Sequence, residues 1–115
     1  MTEEDIAFEM IVRAGEGRAK VYEAIRYFGE GDEAGYRRAL AEAEEKLVQA
    51  HDVQTRYMQD SALAGATDGG RGPAPGFLLV HAQDILMAAT TEKELAAALI
   101  AAAEKRLATS CSRPK

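Results

Sequence analysis

Cysteine is nearly absent from this chain: there is one, Cys111, in the polar stretch Thr109-Ser110-Cys111-Ser112-Arg113-Pro114-Lys115. A lone thiol cannot close an intramolecular disulfide, so a disulfide scaffold is excluded and a reducing compartment fits. Positive charge is in the minority, with 14 Lys and Arg against 19 Asp and Glu and a formal net charge of −5. That balance speaks against nucleic acid as a partner and favours an encounter with something basic. No uninterrupted apolar run approaches the ~20 residues of a membrane span. The opening Thr2-Glu3-Glu4-Asp5 is the reverse of a basic leader. Two-residue alternation persists nowhere, which leaves no strand signal, and neither a Walker-type phosphate loop nor an internal repeat is found. A cytoplasmic protein without membrane insertion is expected.

What is present suits one helical domain. A chain of 115 residues can bury a core without metal or disulfide staples, and 47% apolar with 29% charged residues argues against disorder. Thr2 can cap a first helix, with Asp5 in its first turn. Ile6, Met10, Ala14, Val21, Ile25 and Phe28 then recur at helical steps, apart from one gap that holds Gly15 and Gly17. Each glycine costs ~1 kcal/mol against alanine in a helix interior, so the pair implies a kink or the close approach of a neighbouring helix. Gly29-Glu30-Gly31-Asp32 reads as a stop followed by a new N-cap.

The second helix carries Tyr36, Leu40, Ala43, Leu47, Ala50 and Met58, with Glu42 and Lys46 spaced for an ion pair on its polar side. Residues 65–76 hold five of the ten glycines and two of the three prolines, and read as a mobile loop. A third helix follows, alanine-rich in its second half and ending in Lys105-Arg106, cations that suit a helix C-terminus. The expectation is an all-α antiparallel three-helix bundle: one domain over 1–108, helices near 3–29, 32–64 and 76–107, and a flexible tail over 109–115.

Residues 77–89 are apolar at ten of thirteen positions, the exceptions being His81, Gln83 and Asp84. A helix that is apolar all round must be covered all round, which one small bundle cannot do, so further subunits are expected against it. His81 and Asp84 are three residues apart, about 60° around a helix, and share a face; Gln83 points about 100° away from Asp84. Such a pair can be part of a metal site, or an imidazole nucleophile with orienting neighbours, or a polar device that fixes the register of an assembly. Spacing alone leaves the three open and favours the last.

The motif Leu79-Val80-His81-Ala82-Gln83-Asp84, followed by Leu86-Met87, resembles the phosphorylation-site helix of the lactose/cellobiose-type enzyme IIA proteins of the phosphoenolpyruvate-dependent sugar phosphotransferase system. Ile11, Gly15, Arg18, Tyr22 and Ala24 resemble that family's first helix, and Gly31-Asp32 its helix–helix turn. Ala50-His51 with Gln54-Thr55 resembles its second-helix signature, and the likeness runs over roughly residues 4–107. One position departs from it: Ile85 stands where the family commonly has a second histidine.

The resemblance implies that His81 accepts phosphate from phospho-HPr on its tele nitrogen and passes it to a cysteine of enzyme IIB, for uptake of β-glucoside- or galactoside-type disaccharides. It implies a homotrimer of three-helix bundles in which Asp84 binds a shared Mg²⁺ on the threefold axis. Three carboxylates converging at ~5 Å would each repel the next by ~3 kcal/mol at an effective dielectric of 20, and a central divalent cation or the uptake of a proton relieves that. Gln83, His51 and Gln54 are candidate supporting residues, and Arg18 is either a phosphate contact or half of a solvated ion pair. A regulatory or interaction bundle of the same fold, without transport, is the alternative.

Overall fold

A computed structural model describes residues 1–67 and 74–112 of the chain. Three α-helices account for nearly all of them: α1 (Glu3–Gly29), α2 (Glu33–Thr67) and α3 (Phe77–Ser112). Both ends of α1 and the start of α2 have local causes. The Thr2 hydroxyl accepts from the Asp5 amide at 3.1 Å while the Asp5 carboxylate accepts from the Thr2 amide at 3.0 Å, a reciprocal capping box. At the other end of α1, Gly31 takes φ +75°, the left-handed conformation that glycine tolerates. The Gly31 and Asp32 amides then donate to the Phe28 and Tyr27 carbonyls at 3.1 and 2.9 Å, closing a Schellman turn. The Asp32 carboxylate caps α2 by accepting from the Gly35 amide at 2.9 Å.

Two helix ends differ from expectation. α2 continues through Gly65 to Thr67 instead of ending at 64, since one glycine among alanines costs ~1 kcal/mol and does not break a helix. α3 continues to Ser112, so residues 109–112, expected to be tail, are helical, and Lys105 and Arg106 do not occupy its last turn. No strong breaker precedes Pro114. Of the expected 65–76 loop, 74–76 are non-helical and 68–73 lie outside the described residues, as do 113–115 of the tail.

The helices run up, down and up, forming a rod of 72 × 21 × 19 Å with α1 packed along both others. The buried stripe of α1 is Ile6, Met10, Ala14, Gly17, Val21 and Ala24. Gly17 and Ala24 thus take the inward positions, and Ile25, expected inside, is 48% exposed. Of the α2 residues expected inside, Met58 is 54% exposed. α1 is one unbroken helix through Gly17, and a Cβ there would meet Leu47 Cγ and Cδ2 at 2.9 Å; around Gly15 there is nothing within 4 Å. Close packing therefore explains one glycine of the pair.

Surface ion pairs run between helices more than along them. Lys46 meets Glu16 at 2.8 Å and Lys20 meets Glu42 at 2.8 Å, which replaces the Glu42–Lys46 pair expected within α2.

Small side chains fill the interior. Among the described residues seventeen apolar ones are buried and nine of these are alanine; the larger ones include Met10, Leu47, Leu79 and Leu86. Many large apolar side chains lie outside: Phe8, Val12, Tyr22 and Ile25 on α1, and Phe77, Val80, Met87, Leu95 and Leu99 on α3. Tyr22 and Ile25 line a groove with Leu95 and Leu99, so the outward faces of α1 and α3 meet.

Candidate functional site

The second turn of α3 presents the site. Leu79, Ala82, Leu86 and Ala89 step at three and four residues and lock one face of the helix into the core, against Ile6, Ala7 and Met10 of α1 and Leu47 and Ala50 of α2. The opposite face is thereby turned outward, and His81 and Asp84 are both on it, exposed. Val80 and Met87, 41% and 67% exposed, flank them, so the polar pair stands in an apolar surround. No polar side chain among the described residues is buried, so neither group is held inside this chain.

The His81 ring lies parallel to that of Phe77, with centroids 6.4 Å apart and planes 7° off. The spacing of four residues brings the two rings alongside one another, parallel and offset, on the helix surface. No hydrogen bond or ion pair engages His81 or Asp84 among the described residues, which leaves both imidazole nitrogens and both carboxylate oxygens open to a visitor. Phe77 was not singled out from the sequence, although its position one turn before His81 carried the signal.

The other candidates are dispersed. Gln83 is half-buried and turned away from His81 and Asp84. His51 is on α2 and faces Thr90 of α3, with Nε2 3.3 Å from the Thr90 hydroxyl. That hydroxyl donates to the Leu86 carbonyl at 2.8 Å, which leaves its oxygen to accept and favours the His51 tautomer with the proton on Nε2. Thr90 is nine residues beyond His81, ~13 Å along the helix, which places His51 in a helix–helix contact rather than beside the His81 ring. Gln54 is half-buried, one turn from His51 toward the end that holds His81. Arg18 donates to Glu92 at 3.1 Å, eleven residues and ~16 Å along α3 from His81. Ile85 is half-buried against the core, where an apolar side chain is at home, and Asp52 is exposed.

A further cluster sits at the start of α3. Glu3 of α1 accepts from the Gly76 amide through Oε1 at 2.5 Å and from the Tyr57 hydroxyl of α2 through Oε2 at 2.7 Å. Tyr57 and the Gly76 amide hold the Glu3 carboxyl below its ordinary value, and Glu3 pushes the Tyr57 phenol up. Sequence reasoning missed this contact, because nothing local marks a partner 73 residues away.

Among the described residues of one chain, no three His, Cys, Asp or Glu side chains gather to hold a metal. Nor is any helix among them long and apolar enough to cross a membrane.

Comparison with known proteins gives a consistent result. The profile of the family described as "PTS system, Lactose/Cellobiose specific IIA subunit" matches residues 5–104. The lichenan-specific phosphotransferase enzyme IIA component of Bacillus subtilis is 40% identical over 102 residues, covering 89% of this chain and 87% of the relative. The N,N'-diacetylchitobiose-specific EIIA component of Escherichia coli K12 is 31% identical over 103 residues, covering 89% and 83%. The crystal structure of the cellobiose-specific enzyme IIA of Bacillus anthracis superposes with a TM-score of 0.77 at 35% identity, covering 94% of each chain.

Proposed function

This chain belongs to the lactose/cellobiose-specific IIA family of the sugar phosphotransferase system, and we propose that it relays a phosphoryl group through His81. The observation that carries the reading is an exposed imidazole at the motif position with no hydrogen-bond partner among the described residues. The tele nitrogen, Nε2, attacks the phosphorus of a phosphohistidine on HPr, and the bond from phosphorus to the donor nitrogen breaks with its electron pair returning to that nitrogen. A cysteine thiolate of enzyme IIB then attacks phospho-His81, which regains its lone pair as the phosphorus–nitrogen bond breaks. Phosphoryl transfer passes through a loose transition state, so positioning and charge screening are the main contributions of the protein. On this chain the core-locked face of α3 fixes the helix, and the Phe77 ring lies parallel to the imidazole, offset beside it. The net charge of −5 favours a basic donor surface. Relatives named for lichenan, cellobiose and N,N'-diacetylchitobiose support the β-glucoside type as the transported sugar.

The working form in this reading is a homotrimer. Its support is the outward apolar face of α1 and α3, which one chain leaves uncovered. Asp84, exposed and unpartnered on that face, suits a ligand set completed by two other copies, with Mg²⁺ offsetting most of the charge of the three carboxylates. The ion would be structural, and the acceptor chemistry stays with His81.

Incubation with phosphoenolpyruvate, enzyme I and HPr tests the relay. An acid-labile label is expected on the chain and is expected to be absent from His81→Ala; label that persists in that variant refutes the assignment. Sedimentation tests the assembly: three copies are expected, and a monomer at micromolar concentration would overturn that part of the reading.

A further inference from the structure

Glu3 is placed as the connection between all three helices at the end of the rod that holds His81. One carboxylate oxygen accepts from the backbone of Gly76, the residue immediately before α3, and the other accepts from Tyr57 on α2. Within a single helix, a capping-box carboxylate three residues on occupies the N-cap amide; here a carboxylate from another helix does so. Glycine at position 76 permits the approach, since a Cβ there would come within 2.7 Å of Glu3 Oε1. The anchored residue is followed directly by Phe77, whose ring is stacked on His81, and the Gly76 carbonyl accepts the Val80 amide at 3.2 Å. Helix termini leave backbone groups unpaired and open first. His81 is five residues, ~8 Å, past the anchor, so fraying of that first turn reaches the acceptor ring.

We propose that Glu3, braced by Tyr57, is a positioning residue for His81: it fixes the start of α3 and with it the Phe77 ring that lies parallel beside the imidazole. The proposal rests on the reading of His81 as the phosphate acceptor. In-line transfer is sensitive to misplacement, a shift of ~1 Å costing up to ~10²-fold, and partial fraying of one turn should cost about tenfold.

The test uses the full chain with Glu3→Ala, Glu3→Gln and Tyr57→Phe, read by single-turnover transfer from phospho-HPr at several donor concentrations. Amide hydrogen exchange over residues 77–81 and thermal unfolding accompany it. Glu3→Ala should lower the maximal transfer rate about tenfold, with half-saturation by phospho-HPr changed less than about twofold and faster exchange confined to the start of α3. Glu3→Gln should restore most of both, because its amide oxygen can accept from Gly76 and its NH₂ can donate to the Tyr57 oxygen. Tyr57→Phe should fall between them. Unchanged transfer in Glu3→Ala, no rescue by Glu3→Gln, or exchange that rises equally in all three helices would each overturn the proposal. Absence of label from the wild-type chain would sink the relay reading and the positioning role with it; the exchange data would then still decide whether Glu3 anchors α3.

Discussion

The contact between Gly17 and Leu47 invites the sharpest stability experiment. Replacing Gly17 by alanine has two opposed effects. Alanine gains ~1 kcal/mol over glycine in a helix interior. Its Cβ, however, would lie 2.9 Å from Leu47 Cγ and Cδ2, well inside the ~3.5–4.0 Å of ordinary carbon contacts. Leu47 is 2% exposed and cannot swing into solvent, so α1 and α2 must part or the leucine must leave its rotamer. Overpacking of this kind costs ~1–3 kcal/mol. The difference leaves Gly17→Ala destabilised by about 1 kcal/mol, or roughly 4 °C in Tm for a chain of this size.

Gly15→Ala, with nothing within 4 Å, is the uncrowded reference and should gain about 1 kcal/mol. The assay is urea and thermal unfolding followed by circular dichroism at one protein concentration. Repeating Gly17→Ala in a Leu47→Ala background removes the atoms it meets, and there the substitution should become stabilising. A gain from Gly17→Ala in the wild-type background, or a loss that persists without the leucine side chain, would refute the packing argument.

Two further outcomes follow from hydrogen bonds described above. The Glu3–Tyr57 contact lowers the carboxyl and raises the phenol, so its contribution has two edges in pH. The lowered Glu3 contributes stability that is present above the ordinary value of 4.5 and lost as pH falls through its folded value; the raised Tyr57 contributes stability present below 10.0 and lost as pH rises through its folded value. Wild type should therefore exceed Glu3→Ala in Tm between about pH 5 and 10 and converge with it at lower pH, and a gap that widens on acidification would contradict the assignment. Thr90→Val removes the acceptor that favours a proton on His51 Nε2. Nitrogen chemical shifts of the imidazole should show the Nε2–H tautomer in the wild type and a mixture in the variant, and a mixture in both would remove the hydrogen bond.

The sequence could be read where chemistry is local. Thr2 with Asp5, and Gly31 with Asp32, mark helix ends because a cap needs its side chain within three residues. The shared face of His81 and Asp84 likewise followed from a three-residue step. Legibility ended where partners come from another helix. Glu42 and Lys46 have the right spacing for each other, yet bond to Lys20 and Glu16, whose approach depends on how α1 is rotated against α2. That rotation also decides that Ala24 faces inward and Ile25 outward, which composition cannot tell. Gly76 looked like one more loop glycine, and only the folded chain puts a carboxylate beside it.

The alanine-lined interior has a last consequence. Alanine lets helices come close but withdraws few methyl and methylene groups from water, while many of the chain's bulkiest apolar side chains remain on the rim. A chain built this way owes much of its cohesion to whatever covers the rim. If copies of itself supply that cover, dilution acts as a denaturant: melting should shift by several degrees over a hundredfold range of protein concentration, by mass action alone.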